Sequence, residues 1–347
     1  MGPVRTNLTA IDLFAGAGGA TEGLRRAGFV VLAAVENNHS AATTLLKNHP
    51  GTFVDTRDIL TIDPDQLRKS LRLRKGALAL LKSCPPCQGY SSLRLGNTND
   101  PRNDLILLTS KFVEAFRPKA ILLENVPGLR RDGRLGQLTR KLKRLGYVVQ
   151  TYLVDARDFG VPQRRKRLIL LATRSGRRLP SVLSETLLPG IRRGRTLQSV
   201  FRYGQTETGR KDPLQRGRTL PATVIERIKA IPINGNRFDL PKNLRLACHA
   251  SLGCQATASY GRISFRTGAP TMTTRCTTPS CGSFIHPRAN RAITLREASL
   301  IQTFPTRYRF HGTYAEVERQ IGNAVPVRMA KALGLVAKQV ILRQIEV

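Results

Sequence analysis

Short apolar runs in the first third of the chain recur at strand–helix–strand spacing, and each is followed by glycines or by a side chain that can bind or react. That pattern confines the chain to an alternating α/β sheet. Leu8 to Phe14 is followed by Gly16, Gly18 and Gly19. A helix over Thr21 to Ala27 and a second strand, Val30 to Val35, ending at Glu36 complete a dinucleotide-type βαβ unit. The glycines let a ligand approach the backbone, and Glu36 can accept hydrogen bonds from ribose hydroxyls. A nicotinamide, a flavin or S-adenosylmethionine would each suit such a unit. Tight helix–strand packing with a solvated Glu36 is the plain alternative. Asp58 and Ile59 follow a third run, Thr52 to Asp55, where a carboxylate could meet an adenine amino group or simply close a turn.

The run Gly76 to Lys82 leads into Ser83 to Ser92, SCPPCQGYSS. Pro85 and Pro86 fix two φ angles and stiffen the backbone that carries Cys87. A cysteine on a rigid loop at a strand end is either inert packing or a nucleophile. Lys119 to Leu123 ends in Glu124, so two strand ends carry reactive groups. In a parallel sheet both would face one edge, which suits covalent catalysis with proton donation. A loop salt bridge is the ordinary role for such a glutamate. In Phe159 to Arg167 (FGVPQRRKR), Arg165 and Arg167 alternate with Lys166 and so share a strand face. Paired arginines there suit a phosphate or a carbonyl oxygen of a base, whereas Arg164 and Lys166 read as solvated.

The chain has 347 residues, 41% of them hydrophobic, enough for one large domain with or without a small one. No apolar run reaches membrane-spanning length. Met1 to Asn7 lacks the apolar stretch of a secretion signal, so the expectation is a cytoplasmic, nucleoid-associated protein with reduced cysteines. Lys plus Arg number 57 against 23 Asp plus Glu, a formal charge of +34 spread along the chain. A polyanion partner follows, nucleic acid being the commonest, although an Arg-rich proteome gives the same composition.

The segments DLFAGAGG, ENNHSAATTLLKNHP, SCPPCQGYS, LLENVPGL, GVPQRRKRLIL, TLREASLIQTFP and QIGNAVP resemble, in order, the motif series of the DNA (cytosine-5)-methyltransferases. They span Ile11 to about Pro326, and the set in order is far more specific than any member. The resemblance is to the compact bacterial and phage enzymes. Tyr90 stands where phenylalanine is usual, and Ser83-Cys84 where small residues, usually glycine, stand. Neither departure removes a reactive group.

The resemblance implies a class I S-adenosylmethionine-dependent methyltransferase fold, Rossmann-like with a mixed, mostly parallel sheet, plus a smaller β-rich target-recognition domain. It implies that Cys87 attacks C6 of a flipped cytosine, that Glu124 protonates or hydrogen-bonds N3, that Arg167 contacts O2, and that Arg165 holds the Cys87 loop and the DNA backbone. Phe14, Ala15, Gly16, Gly18, Glu36, Asn37, Asp58, Ile59 and Pro86 match cofactor positions, and Asn323 and Val325 match the late motif that completes the cofactor pocket. Gln88 and Ser91 match DNA-facing positions. The chemistry is coherent, because addition at C6 breaks aromaticity and makes C5 nucleophilic, and a stacked base must first be extruded.

Between Thr173 and His286 the alternation disappears, and Arg, Thr, Gly and Pro dominate. The expected division is 1–173 catalytic and cofactor-binding, 174–286 target recognition, and 287–347 a return to the catalytic domain. Gly261 to Arg266 and Thr271 to Arg275 read as short strands. Tyr260, Arg262, Thr273, Thr274 and Arg275 are candidates for DNA contact, each with a solvated hairpin role as the plainer option. Ile293 to Phe304 reads as a helix leading back to the catalytic domain, with Arg291 and Arg296 structural. Cys248, Cys254, Cys276 and Cys281, with His249, could bind zinc, but the spacings are looser than usual, and no metal is expected. The expected substrate is double-stranded DNA, the enzyme class DNA (cytosine-5-)-methyltransferase, the state a monomer without membrane contact, and a cognate restriction endonuclease an accompanying partner. A tRNA cytosine methyltransferase and a catalytically inactive DNA-binding relative are the competing readings.

Overall fold

The computed structural model describes residues 8–86, 100–174, 179–181, 183, 196–250 and 257–342. Cys87, Gln88, Tyr90, Ser91 and Cys254, all named above, lie outside the described residues.

Seven strands form one sheet in the order β3-β2-β1-β4-β5-β7-β6. They are β1 (Leu8–Leu13), β2 (Phe29–Val35), β3 (Phe53–Asp55), β4 (Leu80–Ser83), β5 (Ala120–Asn125), β6 (Val148–Asp155) and β7 (Lys166–Thr173). β1 to β5 pair in parallel, whereas β7 runs antiparallel to both neighbours. The expected mixed, mostly parallel sheet is therefore present. β6 escapes the sequence reading because Gln150 and Thr151 face solvent and interrupt its apolar run. The order reverses beside β1, and in open α/β sheets ligands gather outside the carboxyl ends of strands at such a reversal.

The connecting helices are α1 (Gly19–Arg26), α2 (His39–Asn48), α3 (Pro64–Ser70), α4 (Leu105–Phe116) and α5 (Gly133–Arg144). Their starts are written in short polar side chains. Asn38, Asp63 and Asp132 each accept a backbone N–H of the first turn of α2, α3 and α5, satisfying donors that a helix start otherwise leaves unpaired. The core beneath α3, α4 and α5 is built from Ile11, Leu81, Phe112, Phe116, Ile121 and Leu168, all essentially inaccessible. Burial of each such side chain stabilises the fold by about 1.5–3 kcal/mol.

Two compact units emerge, the first comprising Met1–Phe159, Lys166–Arg192 and Val325–Val347, the second Gly160–Arg165 and Arg193–Ala324. The second takes Gly160–Arg165, resumes only at Arg193, and ends later than the sequence division placed it. Residues 287–324 belong to it, and the chain rejoins the first unit at Val325. That last stretch forms α12 (Val327–Leu342), which packs along α1. Gly23 permits the approach, because a Cβ there would overlap Ala330 and meet the Val327 carbonyl oxygen at 2.7 Å.

The second unit holds α6 (Leu197–Tyr203), α7 (Glu207–Arg210), α8 (Ala222–Ala230), α9 (Ala247–Ala250), α10 (Leu295–Ile301) and α11 (Tyr314–Asn323). It is not β-rich among the described residues. Only isolated bridges occur, such as Arg262↔Ile285 and Ser264↔Gly268. Neither Gly261 to Arg266 nor Thr271 to Arg275 is a strand: the first bonds backbone groups of three separate segments, at Gly235, Ala258 and Ile285, rather than one partner strand, and in the second side chains take the backbone groups of Met272. Met272 donates its N–H to Gln163 Oε1 at 3.0 Å and accepts from Arg165 at 3.2 Å, and Thr277 donates its N–H to Glu318 Oε1 at 2.7 Å.

Candidate active site

Register assembles the first part of the site. Asp12 on β1 pairs with Lys82 on β4, and Lys82 with Leu122 on β5. Two residues further along the same face, Cys84 comes to the level of Glu124. The Cys84 thiol donates to Glu124 Oε2 at 3.0 Å. The other carboxylate oxygen, Oε1, lies 2.9 Å from Arg167 Nε, reached across the antiparallel β5–β7 pairing. Glu124 is only 4% exposed, so this carboxyl sits in a low-dielectric setting where a hydrogen bond or a charge counts for more than in water.

The loop after β4 is fixed from below. Asn125 donates its Nδ2 to the Pro85 carbonyl at 3.2 Å, and Cys84 donates its N–H to Leu13 O at 3.2 Å. Ser83, on the opposite face, shares a 2.9 Å hydrogen bond with Thr109 of α4. The glutamate and asparagine of LLENVPGL thus do different work: Glu124 faces the thiol while Asn125 holds the prolines that precede Cys87.

At the tips of β1 and β2, Phe14 (φ 56°), Gly16 (φ 56°) and Gly18 (φ 84°) turn the backbone through the left-handed region. Gly18 is the residue before α1, and no side chain caps that helix start, which leaves its N–H donors available to a ligand. Glu36 accepts from Gly16 N and Asn38 N, both at 2.8 Å, so its two oxygens hold the β1 loop to the β2 tip. Burial pushes the Glu36 carboxyl above its ordinary range, against the opposing pull of those two backbone donors. A Cβ on Gly16 would meet nothing within 4 Å, so the space over this loop is open to a ligand. Asn37 is exposed, Ala15 and Ile59 are buried, and Asp58 is exposed and caps its own turn through Leu60 N at 2.9 Å. Val325 is buried against Ala20 and Ala330 in the first unit. Asn323 is exposed at the end of α11 in the second. The glycine-plus-glutamate cradle, with an open face, fits a nucleoside with free ribose hydroxyls.

The structure separates the two paired arginines. Arg167 joins Glu124, whereas Arg165 falls in the second unit, 4% exposed, and donates to Met272 O. Tyr260 and Arg262 are buried as well, and the expected contact of both with DNA is corrected on that ground. Arg262 spends its guanidinium on Ile231 O, His286 O, Ala289 O, Ile228 O and Asn290 Oδ1, at 2.6 to 3.1 Å. Thr274 and Arg275 are exposed, and Thr273 partly so. They stand on a clamped segment: Met272 is held by Gln163 and Arg165, the Thr273–Thr274 backbone crosses closely over Gly322, and Thr277 and Thr278 bond Glu318. Arg291 and Arg296 pair with Glu297 and Asp212. Among the described residues no three His, Cys, Asp or Glu side chains gather at metal-binding distance. Cys276 is buried with its thiol aimed at Glu318 O, while Cys248 is exposed.

Sequence reasoning missed the role of Lys82. Its ammonium lies 2.8 Å from Asp12 Oδ1, and Asp12 Oδ2 accepts from Thr21 Oγ1 at 2.7 Å. The available signal was a lysine at the end of the apolar run Leu78 to Leu81 and an aspartate inside Leu8 to Phe14: opposite charges in two buried neighbouring strands.

The C-5 cytosine-specific DNA methylase family matches residues 8–339 of the chain. The chain is 33% identical over 344 residues to the Type II methylase M.HgiDII of Herpetosiphon aurantiacus, covering 93% of each. It is 30% identical to the Type II methyltransferase M1.HphI of Haemophilus parahaemolyticus, covering 94% of this chain and 86% of the relative. Among solved structures, a protein described as a DNA modification methyltransferase encoded within an E. coli prophage superimposes with a TM-score of 0.69 at 25% identity, covering 97% of this chain and all of that one. The S. pombe Dnmt2 methyltransferase shares the fold, with a TM-score of 0.62 at 18% identity, covering 98% of this chain and 100% of that one. The described geometry and these matches agree: the chain belongs to the family of C-5 cytosine-specific DNA methylases.

Proposed function

We propose that the protein methylates C5 of a cytosine extruded from a short duplex site, with Cys87 as the nucleophile toward C6. The observation that carries this reading is the buried Glu124 carboxyl, bracketed by Arg167 and Cys84, beside the stiff Pro85–Pro86 segment that leads to Cys87. A cytosine N3 presented to Glu124 takes a hydrogen bond or a proton there, so negative charge does not build on the ring as sulfur adds to C6. Arg167 steadies that carboxyl and, in this reading, donates to O2. C5 then becomes nucleophilic. S-adenosylmethionine, when bound, supplies the electrophilic methyl. Loss of the C5 proton and departure of the Cys87 sulfur restore the aromatic ring.

The cofactor is held in this reading by the β1–α1 turn, with Glu36 accepting from the ribose hydroxyls and Asp58 near the adenine. Phe14, Ala15, Gly16, Gly18, Asn37, Ile59 and Pro86 line the same loops, and Asn323 and Val325 complete the site. The second unit supplies target recognition through Thr273, Thr274 and Arg275, with Gln88 and Ser91 contributing from the Cys87 loop. The Type II names of the relatives support a paired restriction endonuclease. We read the working form as a monomer.

Incubation with labelled S-adenosylmethionine and either duplex DNA or tRNA tests the reading. Label is expected in duplex DNA alone. Duplex containing 5-fluorocytosine is expected to trap the wild-type protein and not Cys87→Ser, because fluorine cannot leave as the proton does. Label in tRNA, or a trap that survives Cys87→Ser, overturns it.

A further inference from the structure

The helices α3, α4 and α5 all run against the parallel strands, so their carboxyl ends gather at the edge of the sheet opposite Cys84 and Glu124. Three stretches meet there, residues 66–77, 115–120 and 140–147, and none contains an Asp or a Glu. They form one continuous surface because hydrogen bonds tie them together. Gly76 N donates to Phe116 O at 2.8 Å, Arg174 reaches Pro118 O at 3.0 Å and Gly76 O at 3.4 Å, and Arg117 reaches Leu145 O at 2.8 Å. Lys69, Arg74, Lys75, Lys143 and Arg144 are exposed on this surface, with Lys119 half-buried among them.

Compensation of helix dipoles explains cations in a last turn, and it covers Lys69, Lys143 and Arg144. It does not cover Arg74, Lys75 and Lys119, which lie in loops. Of the cations in these stretches, Arg68 is offset by Asp65 and Lys141 by Glu114. The rest present a single-sign field. We propose that this edge is a second binding surface for duplex DNA, separate from the edge that carries the chemistry, and that it holds a segment other than the one being methylated.

The composition of the edge favours duplex DNA over other polyanions. Its aromatics, Phe116 and Tyr147, are buried, so it offers no platform on which unpaired bases could stack. The exposed large apolar side chains among the described residues lie outside these three stretches, with Val30 and Phe53 at the starts of β2 and β3, so the cationic surface itself carries no apolar anchor for a lipid surface. Fixed cations without either feature match a regular phosphate backbone. The six residues of β5 put about 20 Å between the two edges, so a straight duplex engaged at one does not lie along the other.

The test compares the wild-type protein with a variant carrying Lys69→Gln, Arg74→Gln, Lys75→Gln, Lys143→Gln and Arg144→Gln. None of these residues belongs to the proposed catalytic or cofactor machinery. A fluorescent 20-bp duplex is titrated at low salt, and stoichiometry is read by sedimentation. The wild type is expected to bind two duplexes and the variant one. Binding of the second duplex is expected to weaken with salt with a slope of roughly −3 to −5 in log K against log salt, at about 0.9 per phosphate contact. Methylation of a duplex with one site is expected to stay within about twofold in the variant, with unchanged thermal unfolding. A wild type that binds one duplex, or a variant that still binds two, overturns the proposal. So does tighter capture of single-stranded RNA or of anionic lipid vesicles through these five residues. A protein that methylates no DNA yet binds two duplexes defeats the catalytic reading and leaves this one standing.

Discussion

Lys82 Nζ and Asp12 Oδ1 lie 2.8 Å apart between adjacent strands, with side chains 4% and 0% exposed. Burial alone would push the ammonium down, but the attraction of Asp12, Cys84 and Glu124 outweighs it and holds Lys82 above the usual lysine range. The raised value means that this ion pair stabilises the fold fully below the unfolded lysine pKa and loses its contribution only as pH rises through the folded one, far above neutrality. Lys82 and Glu124 also line one small cavity with Ala20, Leu122 and Val325, so Lys82 forms part of the wall behind the reactive carboxyl.

Removing one partner leaves the other buried and charged, which costs about 3–5 kcal/mol. Lys82→Met is therefore expected to lower the urea midpoint markedly. Lys82→Met combined with Asp12→Asn is expected to recover much of the loss, because Thr21 still bonds the amide and no bare charge remains. A single variant as stable as wild type would show that Asp12 is neutralised by other means.

The catalytic edge was legible because it is written in strand ends: Glu36, Glu124 and Arg167 lie in or beside the β2, β5 and β7 runs. The second unit was not legible for the same physical reason it works. Arg262 and Arg165 have the composition of groove-reading residues, yet their donors satisfy carbonyls inside the unit. No local pattern distinguishes an arginine that faces solvent from one that buttons a loop together. Lys82 was hidden by the same ambiguity, since a lysine at the end of an apolar run reads as solvated until its neighbour across the sheet is known.

Glu36 gives a prediction in pH. Burial raises its carboxyl above the ordinary value, and acceptance from ribose hydroxyls needs the ionised form. Affinity for S-adenosylmethionine, measured by calorimetry, is expected to fall as pH drops through this raised value, earlier than an ordinary glutamate would titrate. Glu36→Gln is expected to flatten that dependence and to weaken binding by about 1–3 kcal/mol. A wild-type affinity that is constant down to the ordinary glutamate range would remove Glu36 from the site.

His286 gives a second prediction in pH, from a shift in the opposite direction. Its Nδ1 accepts from Arg288 N at 3.1 Å and Ala289 N at 2.8 Å, and burial with nearby arginines pushes it down to about 4. The depressed value means stability is fully present above the unfolded pKa of about 6.5 and drains away as pH falls toward about 4. Because the ring is partly exposed, the loss is expected to be on the order of 1–2 kcal/mol rather than the full shift. Hydrogen exchange at residues 285–292 is expected to accelerate over that interval in the wild type and to change less in His286→Asn.

Gly322 is a packing prediction. A Cβ at this position would overlap the backbone of Thr273 and Thr274. Backbone cannot swing aside as a side-chain tip can, so Gly322→Ala is expected to shift the clamped segment and cost about 1–3 kcal/mol, the range of an overpacked site. If Thr274 and Arg275 read the target, the variant is expected to lose discrimination among sites before it loses methyl transfer. Bisulfite sequencing of DNA from an expressing host measures both, and unaltered site choice with normal stability would refute the clamp.

The relation of Glu124 to its two partners supplies the last prediction. Arg167 holds Oε1 through an ion pair and Cys84 holds Oε2 through a thiol hydrogen bond. The two contributions differ in kind: the first is an attraction between opposite charges in a buried setting, the second a neutral hydrogen bond from a weak donor. Glu124→Gln keeps the shape but offers N3 no ionisable proton, and it is expected to reduce turnover by about 10²–10⁴-fold, the range for a positioned acid or base. Arg167→Lys retains charge but loses the planar fork, and is expected to raise KM for DNA and lower kcat together. Cys84→Ala removes only the weak donor and is expected to lower kcat less than tenfold. Single-turnover methylation of one labelled duplex across pH ranks the three. An order in which Cys84→Ala is the most damaging would mean that the thiol, rather than Arg167, governs the carboxyl.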